Sequence, residues 1–307
     1  MSKSLKIKTF GARGNILCQQ IRIDEGLKLL GHKLVDENPE LIFANDFGSH
    51  KEAIECKRLY PAAKLILSIL DLPFHVREIN DTIASLTVNF QFADAVTTIS
   101  NTVAIQMLNI FPGLQKRGIG VIYQPIKNVY PLNLERNSNL LFVSRACDSN
   151  KRFLMALELA GLAGVSITVV GHEDPNNIVP PNKQGYRKFI NYIGEVTDDE
   201  LNVLYNTHAA VMVCGRVEGL SLSLIEGIAT KTPVVCLEDM ATSKEFCPDI
   251  FISRPNLFDM YEKLRYVTSG ATQISKVLDE YSERYLKMFS PESVANNIVN
   301  IYEKLSK

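Results

Sequence analysis

The sequence predicts an α/β protein of two doubly wound domains in tandem, facing a central cleft. Three observations carry that prediction. Short apolar runs alternate with longer stretches of helical periodicity, the rhythm of right-handed βαβ units on a parallel sheet. The rhythm breaks once, in the polar, proline-containing stretch Tyr130 to Asn139, and then restarts. And 307 residues are enough for two domains of ordinary size.

Taken in order, SLKIKTFG reads as a strand and GARGN as a glycine-containing turn. ILCQQIRIDEGLKLLG carries apolar residues at helical spacing and stops at Gly31. ELIFAN is a strand, and SHKEAIECKRLY is a helix ended by Pro61. AKLILSIL is a continuous apolar run, as expected of a strand covered on both faces. VREINDTIASLTVNFQF is helical, DAVTTIS a strand, NTVAIQMLNIF a helix closed by Pro112-Gly113, and GVIYQPI a strand. This places a first domain at 1–134.

After the break, LLFVSR is a strand and KRFLMALELAGLAG a helix. SITVVG and NYIGEV are strands. TDDELNVLYNTH is a helix whose start, Thr197 followed three residues later by Glu200, has the form of a capping box. AAVMVC and PVVCLE are strands, giving a second domain at 135–288. SPESVANNIVNIYEKL closes the chain as a helix opened by Ser290 and Pro291.

The bulk numbers describe an ordinary globular enzyme, 46% hydrophobic and 22% charged. A net charge of -1 and a pI near 6.5 give no basic excess of the kind that marks nucleic-acid or anionic-membrane binding. The six cysteines form no C-x-x-C pair, which fits reduced, mostly buried thiols. No secretory leader and no apolar run of membrane-spanning length occurs, so the expectation is a cytoplasmic protein.

The chemistry is concentrated in RVEGLSLSLIEG, Arg216 to Gly227. AAVMVC ends at Cys214, so GRVEG is a strand-to-helix loop and Glu218 lies in it. Ser221 or Ser223 caps the helix that follows, and Pro233 requires it to stop near Lys231. Glu226 then sits about one turn into the helix. Between the two acids lies a helix amino end, with backbone N–H groups that favour an anion such as phosphate. Two carboxylates would repel a bare phosphate. They fit a ligand with hydroxyls on both sides of its phosphates, a nucleotide sugar. Arg145, at the end of LLFVS, and Lys151, at the start of the next helix, bring positive charge to the same diphosphate. No Asp-x-Asp triplet occurs, so no metal is expected.

RVEGLSLSLIEGIATKTPVV resembles the E-x7-E region of retaining glycosyltransferases of family four, which have the GT-B architecture of two Rossmann-like domains. FVSR with its following Lys resembles that family's Arg and Lys pair for the donor diphosphate. YIGEVTDDELNVLYNTHAAVMVCGR resembles the segment leading into the motif. The resemblance spans roughly Leu140 to Leu237. It implies that Glu218, Arg145 and Lys151 are catalytic: Glu218 on the sugar hydroxyls, the two cations on charge that develops as the anomeric bond breaks. It implies donor contacts from the amides of Gly219, Leu220, Ser221 and Leu222. Glu226 would take the ribose hydroxyls, and the stretch around Gly194 and Val196 would lie near the base. The last helix, 289–307, would cross back to the first domain. The sequence departs from the family at Leu70, where a His often precedes the Asp that here is Asp71; His75 is the candidate replacement.

The loop Gly11 to Asn15 is neither a dinucleotide fingerprint nor a phosphate-binding P-loop. Its expected place is the sugar or acceptor side, with Gly11, Arg13 and Gly14 there beside Asp71 and His75. The resulting expectation is a metal-independent, retaining, hexosyltransferase-like enzyme without cofactor. It would move a sugar from a nucleotide-diphosphate sugar to an unnamed hydroxyl acceptor, be it glycan, lipid, small molecule or modified nucleobase. Two other classes stay open at this level. A sugar-nucleotide epimerase or hydrolase on the same fold would turn over donor without an acceptor. A non-catalytic nucleotide-sugar binding protein would bind without turnover.

Overall fold

A computed structural model describes residues 4–11, 15–70, 79–116 and 118–307. By its internal contacts the chain divides into two units. One comprises Met1–Pro125 with Lys287–Lys307, and the other Ile126–Leu286.

In the first unit the strands are β1 (Lys6–Phe10), β2 (Lys33–Leu34), β3 (Leu41–Ala44), β4 (Lys64–Ile69), β5 (Ala95–Thr98) and β6 (Ile119–Val121). They form one sheet in the order β2-β1-β3-β4-β5-β6, parallel throughout. The helices between them are α1 (Asn15–Leu29), α2 (His50–Leu59), α3 (Ile79–Phe92) and α4 (Asn101–Ile110). Ser100 caps α4 by accepting from the Val103 N–H. β3 and β4 are apolar almost without interruption, because helices cover both faces of such a sheet.

The second unit repeats the scheme. Its strands are β7 (Leu140–Val143), β8 (Ile167–Val170), β9 (Ile190–Gly194), β10 (Ala210–Val213), β11 (Val234–Leu237) and β12 (Ile252–Ser253). They pair in parallel in the order β12-β11-β10-β7-β8-β9. The helices are α5 (Phe153–Ala163), α6 (Asp198–Thr207), α7 (Leu222–Ala229), α8 (Ser243–Phe246), α9 (Leu257–Val267) and α10 (Thr272–Met288). The Thr197–Glu200 capping box that the sequence spells is formed at the start of α6. The edge strand β12 and helices α8 to α10 come from a stretch that the alternation of apolar runs left unassigned.

α11 (Pro291–Leu305), the chain's last helix, packs on α1 in the first unit. Their shared core includes Ile23, Leu27, Val294 and Ile298, against Ile7, Phe43 and Ile66 of the sheet. Gly26 makes the close approach possible. A methyl group there would overlap the Pro291 carbonyl, and backbone cannot step aside as a side chain can.

The stretch that breaks the sequence rhythm is fastened to the second unit. The N–H groups of Tyr130 and Leu132 donate to the side-chain oxygens of Asn202 (3.0 Å) and Asn206 (2.7 Å), both on α6. Arg136 lies beneath two helix ends. Its guanidinium donates to the carbonyls of Tyr205 and His208 (2.9 Å each) at the end of α6, and to those of Thr230 (3.5 Å) and Lys231 (3.3 Å) beyond α7. Carbonyls at a helix carboxyl end lack intrahelical partners and carry partial negative charge, so one cation satisfies both ends. Burial lowers the Arg136 pKa, and a guanidinium stays charged regardless.

All six cysteines are free thiols, four of them buried, and burial pushes Cys214 up to about 12. Among the described residues no helix is long and apolar enough to cross a membrane.

Two expected outcomes follow from this packing. In a helix interior Gly→Ala ordinarily stabilises by about 1 kcal/mol. Gly26→Ala should instead destabilise by about 1–3 kcal/mol in urea unfolding, as overpacking does. The second concerns acid. Buried His50 hydrogen-bonds the Ser68 carbonyl through Nε2 (2.9 Å). His208 donates from Nδ1 to Leu204 and accepts at Nε2 from Thr168 (2.8 Å each). Burial lowers both pKa values from 6.5, so below that pH the unfolded chain binds protons that the folded chain refuses. Stability should therefore be full above pH 6.5 and fall as pH drops below it, by up to about 1.4 kcal/mol per pH unit for each histidine. Urea midpoints at pH 7.5 and 5.5 measure this, and His208→Gln should flatten the slope.

Candidate active site

Each parallel sheet has one place where successive crossovers leave in opposite directions, and ligands of such sheets bind outside the strand carboxyl ends there. In the second unit that place lies between β7 and β10. From β7 the chain runs outward through β8 to β9, then returns to β10 on the other side of β7. The loops after these two strands are Ser144–Arg152 and Cys214–Ser221, which carry Arg145, Lys151 and Glu218.

The first loop is folded by Asp148. Its carboxylate accepts from the Asn150 N–H (2.9 Å) and from the Arg145 guanidinium (3.1 Å). A short 3-10 turn, Ser149–Lys151, follows. Asn150 then staples the two loops together. Its side-chain oxygen accepts from the Val217 N–H, its amide donates to the Val217 carbonyl (3.0 Å each), and its own carbonyl accepts from the Arg216 N–H (3.1 Å).

Lys151 and Glu218 meet across this staple, with Nζ 2.5 Å from Oε1. The pair is partly shielded, the side chains being 20% and 13% exposed. Gly215 leaves the space for it, since a methyl group there would overlap the Glu218 carboxylate. The Glu218 carbonyl accepts from the Thr242 hydroxyl (3.2 Å), which fixes the loop from its other side.

The sequence placed Lys151 at the start of the next helix, but α5 begins at Phe153. The reason is Arg152, which adopts a left-handed conformation (φ 51°) that side-chain-bearing residues avoid by roughly 1–2 kcal/mol. Strong contacts hold it there. Its guanidinium makes two 2.7 Å bonds to Asp239 and a 2.5 Å bond from Nε to the Cys214 carbonyl. The hydrogen bonds and charge of Arg152 keep Asp239 below the usual carboxylate range. Arg152 thus ties the loop after β7 to the ends of β10 and β11 and leaves Lys151 turned towards Glu218.

Arg145 is set apart from this pair. Its side chain is 56% exposed and pairs with Asp148 in its own loop. Among the described contacts none joins it to Lys151 or Glu218.

α7 begins at Leu222 with Ser221 as its N-cap residue. The Ser221 hydroxyl makes no capping bond to the helix and lies 3.4 Å from that of Ser223. Gly219, Leu220 and Ser221 are buried and Leu222 half-buried. Glu226 lies in the second turn and is 3% exposed. Its oxygens accept from the Lys127 N–H (3.2 Å) and the Tyr205 hydroxyl (2.8 Å). Burial, with Glu226 alongside, raises the Tyr205 pKa well above its usual value, so the phenol remains a donor. Gly194 closes β9 in a left-handed conformation (φ 77°), which explains a glycine there, and Val196 leads into the α6 cap. Among the described residues no three of His, Cys, Asp and Glu gather as ligands for a metal ion.

In the first unit Gly11 follows β1 against Gln20, whose amide donates to Asp24 (2.8 Å). Arg13, Gly14, Asp71 and His75 lie outside the described residues.

No protein-family profile matches the sequence, and no curated protein matches it. Solved structures do match its fold. Sucrose-phosphate synthase from Thermosynechococcus elongatus aligns over 98% of this chain and 99% of its own, with TM-score 0.73 and 14% identity. The fold is GT-B. HepE from Anabaena, solved with UDP, aligns over 99% and 100% of the two chains (TM-score 0.74, 14% identity). AviGT4, a glycosyltransferase of avilamycin A biosynthesis, aligns over 98% of both (TM-score 0.67, 14% identity). A GT-B chain of this length carries the Lys151–Glu218 pair at the switch point of its second sheet.

Asn150, Arg152, Asp239, Tyr205 and Lys127 escaped the sequence reading. Asn150 and Arg152 flank Lys151, yet nothing in a linear pattern distinguishes a side chain that staples a distant loop from a solvated one.

Gly215→Ala should push the Glu218 carboxylate away from Lys151. A double-mutant cycle of Lys151→Met and Glu218→Gln in urea should show a coupling of about 1 kcal/mol in the wild type and none within error in the Gly215→Ala background.

Proposed function

We propose that this chain is a retaining glycosyltransferase that moves a sugar from a nucleoside diphosphate sugar to a hydroxyl acceptor. The observation that carries the reading is the ammonium and carboxylate held together outside the carboxyl ends of β7 and β10, just before a helix amino end. A lysine ammonium has three donors. One is engaged with Glu218, and the others are available to diphosphate oxygens. Glu218 accepts from sugar hydroxyls, so cation and acid hold opposite sides of the bond that breaks.

The remaining roles are assigned in the same frame. Arg145 swings from Asp148 to the diphosphate; its exposure gives it that freedom. The amides from Gly219 to Leu222 support the phosphates or the sugar, as helix amino ends do. Glu226 reads ribose hydroxyls one turn deeper, and the stretch from Gly194 to Val196 borders the base. HepE, with which this chain shares its fold, has been solved with UDP and with UDP-glucose, which makes UDP-glucose the first donor to try.

In the reaction the bond from the anomeric carbon to the phosphate oxygen breaks, and an acceptor oxygen bonds that carbon on the same face. The acceptor proton passes to the departing phosphate oxygen. Lys151 and Arg145 neutralise the charge that accumulates on the diphosphate, so the scheme needs no metal. The carboxylates bind and orient; neither is assigned as a nucleophile.

A thermal-shift panel of nucleotide sugars should raise the melting temperature with at least one donor. With that donor, Arg145→Ala should lower kcat by roughly 10²-fold, as loss of a group that stabilises developing charge does. A near-normal rate removes Arg145 from the mechanism, and a panel without any shift removes the nucleotide sugar.

A further inference from the structure

We infer that Tyr205 is a positioning residue for nucleotide binding, acting through Glu226 to select ribose over deoxyribose. The inference rests on the donor reading above and adds to it a residue that never touches the ligand.

Tyr205 is fully buried on α6, and its hydroxyl lies 2.8 Å from Oε2 of Glu226 on α7. The other carboxylate oxygen accepts from the Lys127 N–H at 3.2 Å. Donors on both oxygens fix the plane of a carboxylate and so the directions from which it accepts further hydrogen bonds. A carboxylate aimed at vicinal hydroxyls needs that constraint, because a rotated one meets only one of them.

The aiming groups are themselves fixed. The Tyr205 carbonyl accepts from Arg136 (2.9 Å) and from the Thr232 hydroxyl (2.5 Å). Lys127 carries a second tie, from its ammonium to Asp198 at 3.3 Å. α7 is held along its length as well. Gly227 packs between Val211 of β10 and Val234 of β11, and the Ala229 carbonyl accepts from Ser282 on α10 (2.6 Å). With the helix backbone fixed by these contacts, the phenol hydroxyl has a local task, the orientation of one carboxylate. Its removal should therefore act on the contact Glu226 makes and leave the rest of the site in place.

Isothermal titration with UDP and with 2′-deoxy-UDP separates these effects. The wild type should bind UDP about 10-fold more tightly than the deoxy form, the size of one hydrogen bond to a charged group. In Tyr205→Phe the UDP dissociation constant should rise about 10-fold and that of 2′-deoxy-UDP should change less than 2-fold, which erases the preference. Tyr205→Phe in a Glu226→Gln background should add nothing further. Equal weakening of both nucleotides, or a preserved preference, overturns the inference and leaves the donor reading intact. A wild type that binds neither nucleotide overturns the inference, and a panel of nucleotide sugars without any shift overturns the donor reading as well. If Tyr205→Phe does not fold, Glu226→Gln, which replaces one of the two acceptor oxygens by a donor, takes its place: the preference for UDP should vanish, and a preserved preference overturns the inference.

Discussion

Lys151 and Glu218 stand 67 residues apart in sequence and 2.5 Å apart in space. Two partly shielded charges this close attract strongly, but each loses hydration to get there, so the pair is favourable only if its geometry is held. Much of the surrounding structure supplies that hold. Asn150 joins the loops as a strand partner would, Arg152 accepts backbone strain to reach Asp239 and the Cys214 carbonyl, and Gly215 gives up its side chain to make room. The fold itself thus holds the two charges together, and preorganised charge of that kind is what the proposed sugar transfer requires.

The second constraint is the shortness of α7. A helix of eight residues has little stability of its own, and its place is set by what packs on it. The polar stretch Tyr130–Asn139 of the second unit supplies part of that packing. Its peptide groups dock on Asn202 and Asn206, and Arg136 binds the carboxyl ends of α6 and α7 together. The polar composition that marks this stretch as a break in the rhythm is thus the composition that a backbone-docking strap needs. The first unit uses a different device, a close crossing of α1 and α11 at Gly26, and so includes the chain's last helix in its core.

Legibility followed the range of the interaction. The capping box at Thr197 and Glu200, the placement of Glu218 in a loop and Glu226 on a helix, and the stop before Pro233 were all readable, since each depends on a few neighbouring residues. The left-handed Arg152 was not, because its cause is Asp239, far along the chain. Nor was the burial of Glu226. A glutamate one turn into a helix reads as solvated until α6 brings Tyr205 over it and leaves it 3% exposed.

By itself the sequence determined the repeated strand-helix rhythm, the parallel α/β class and the chemical types gathered around one helix start. Those are consequences of periodicity, capping and turn chemistry, all of them local. Tertiary structure decided which of those groups meet. By inserting β10 beside β7, the strand order set Lys151 against Glu218, kept Arg145 with Asp148, and tied Glu226 to Lys127 and to Tyr205 of α6. Strand order is fixed by burial summed over the whole sheet, and no window of neighbouring residues contains that sum.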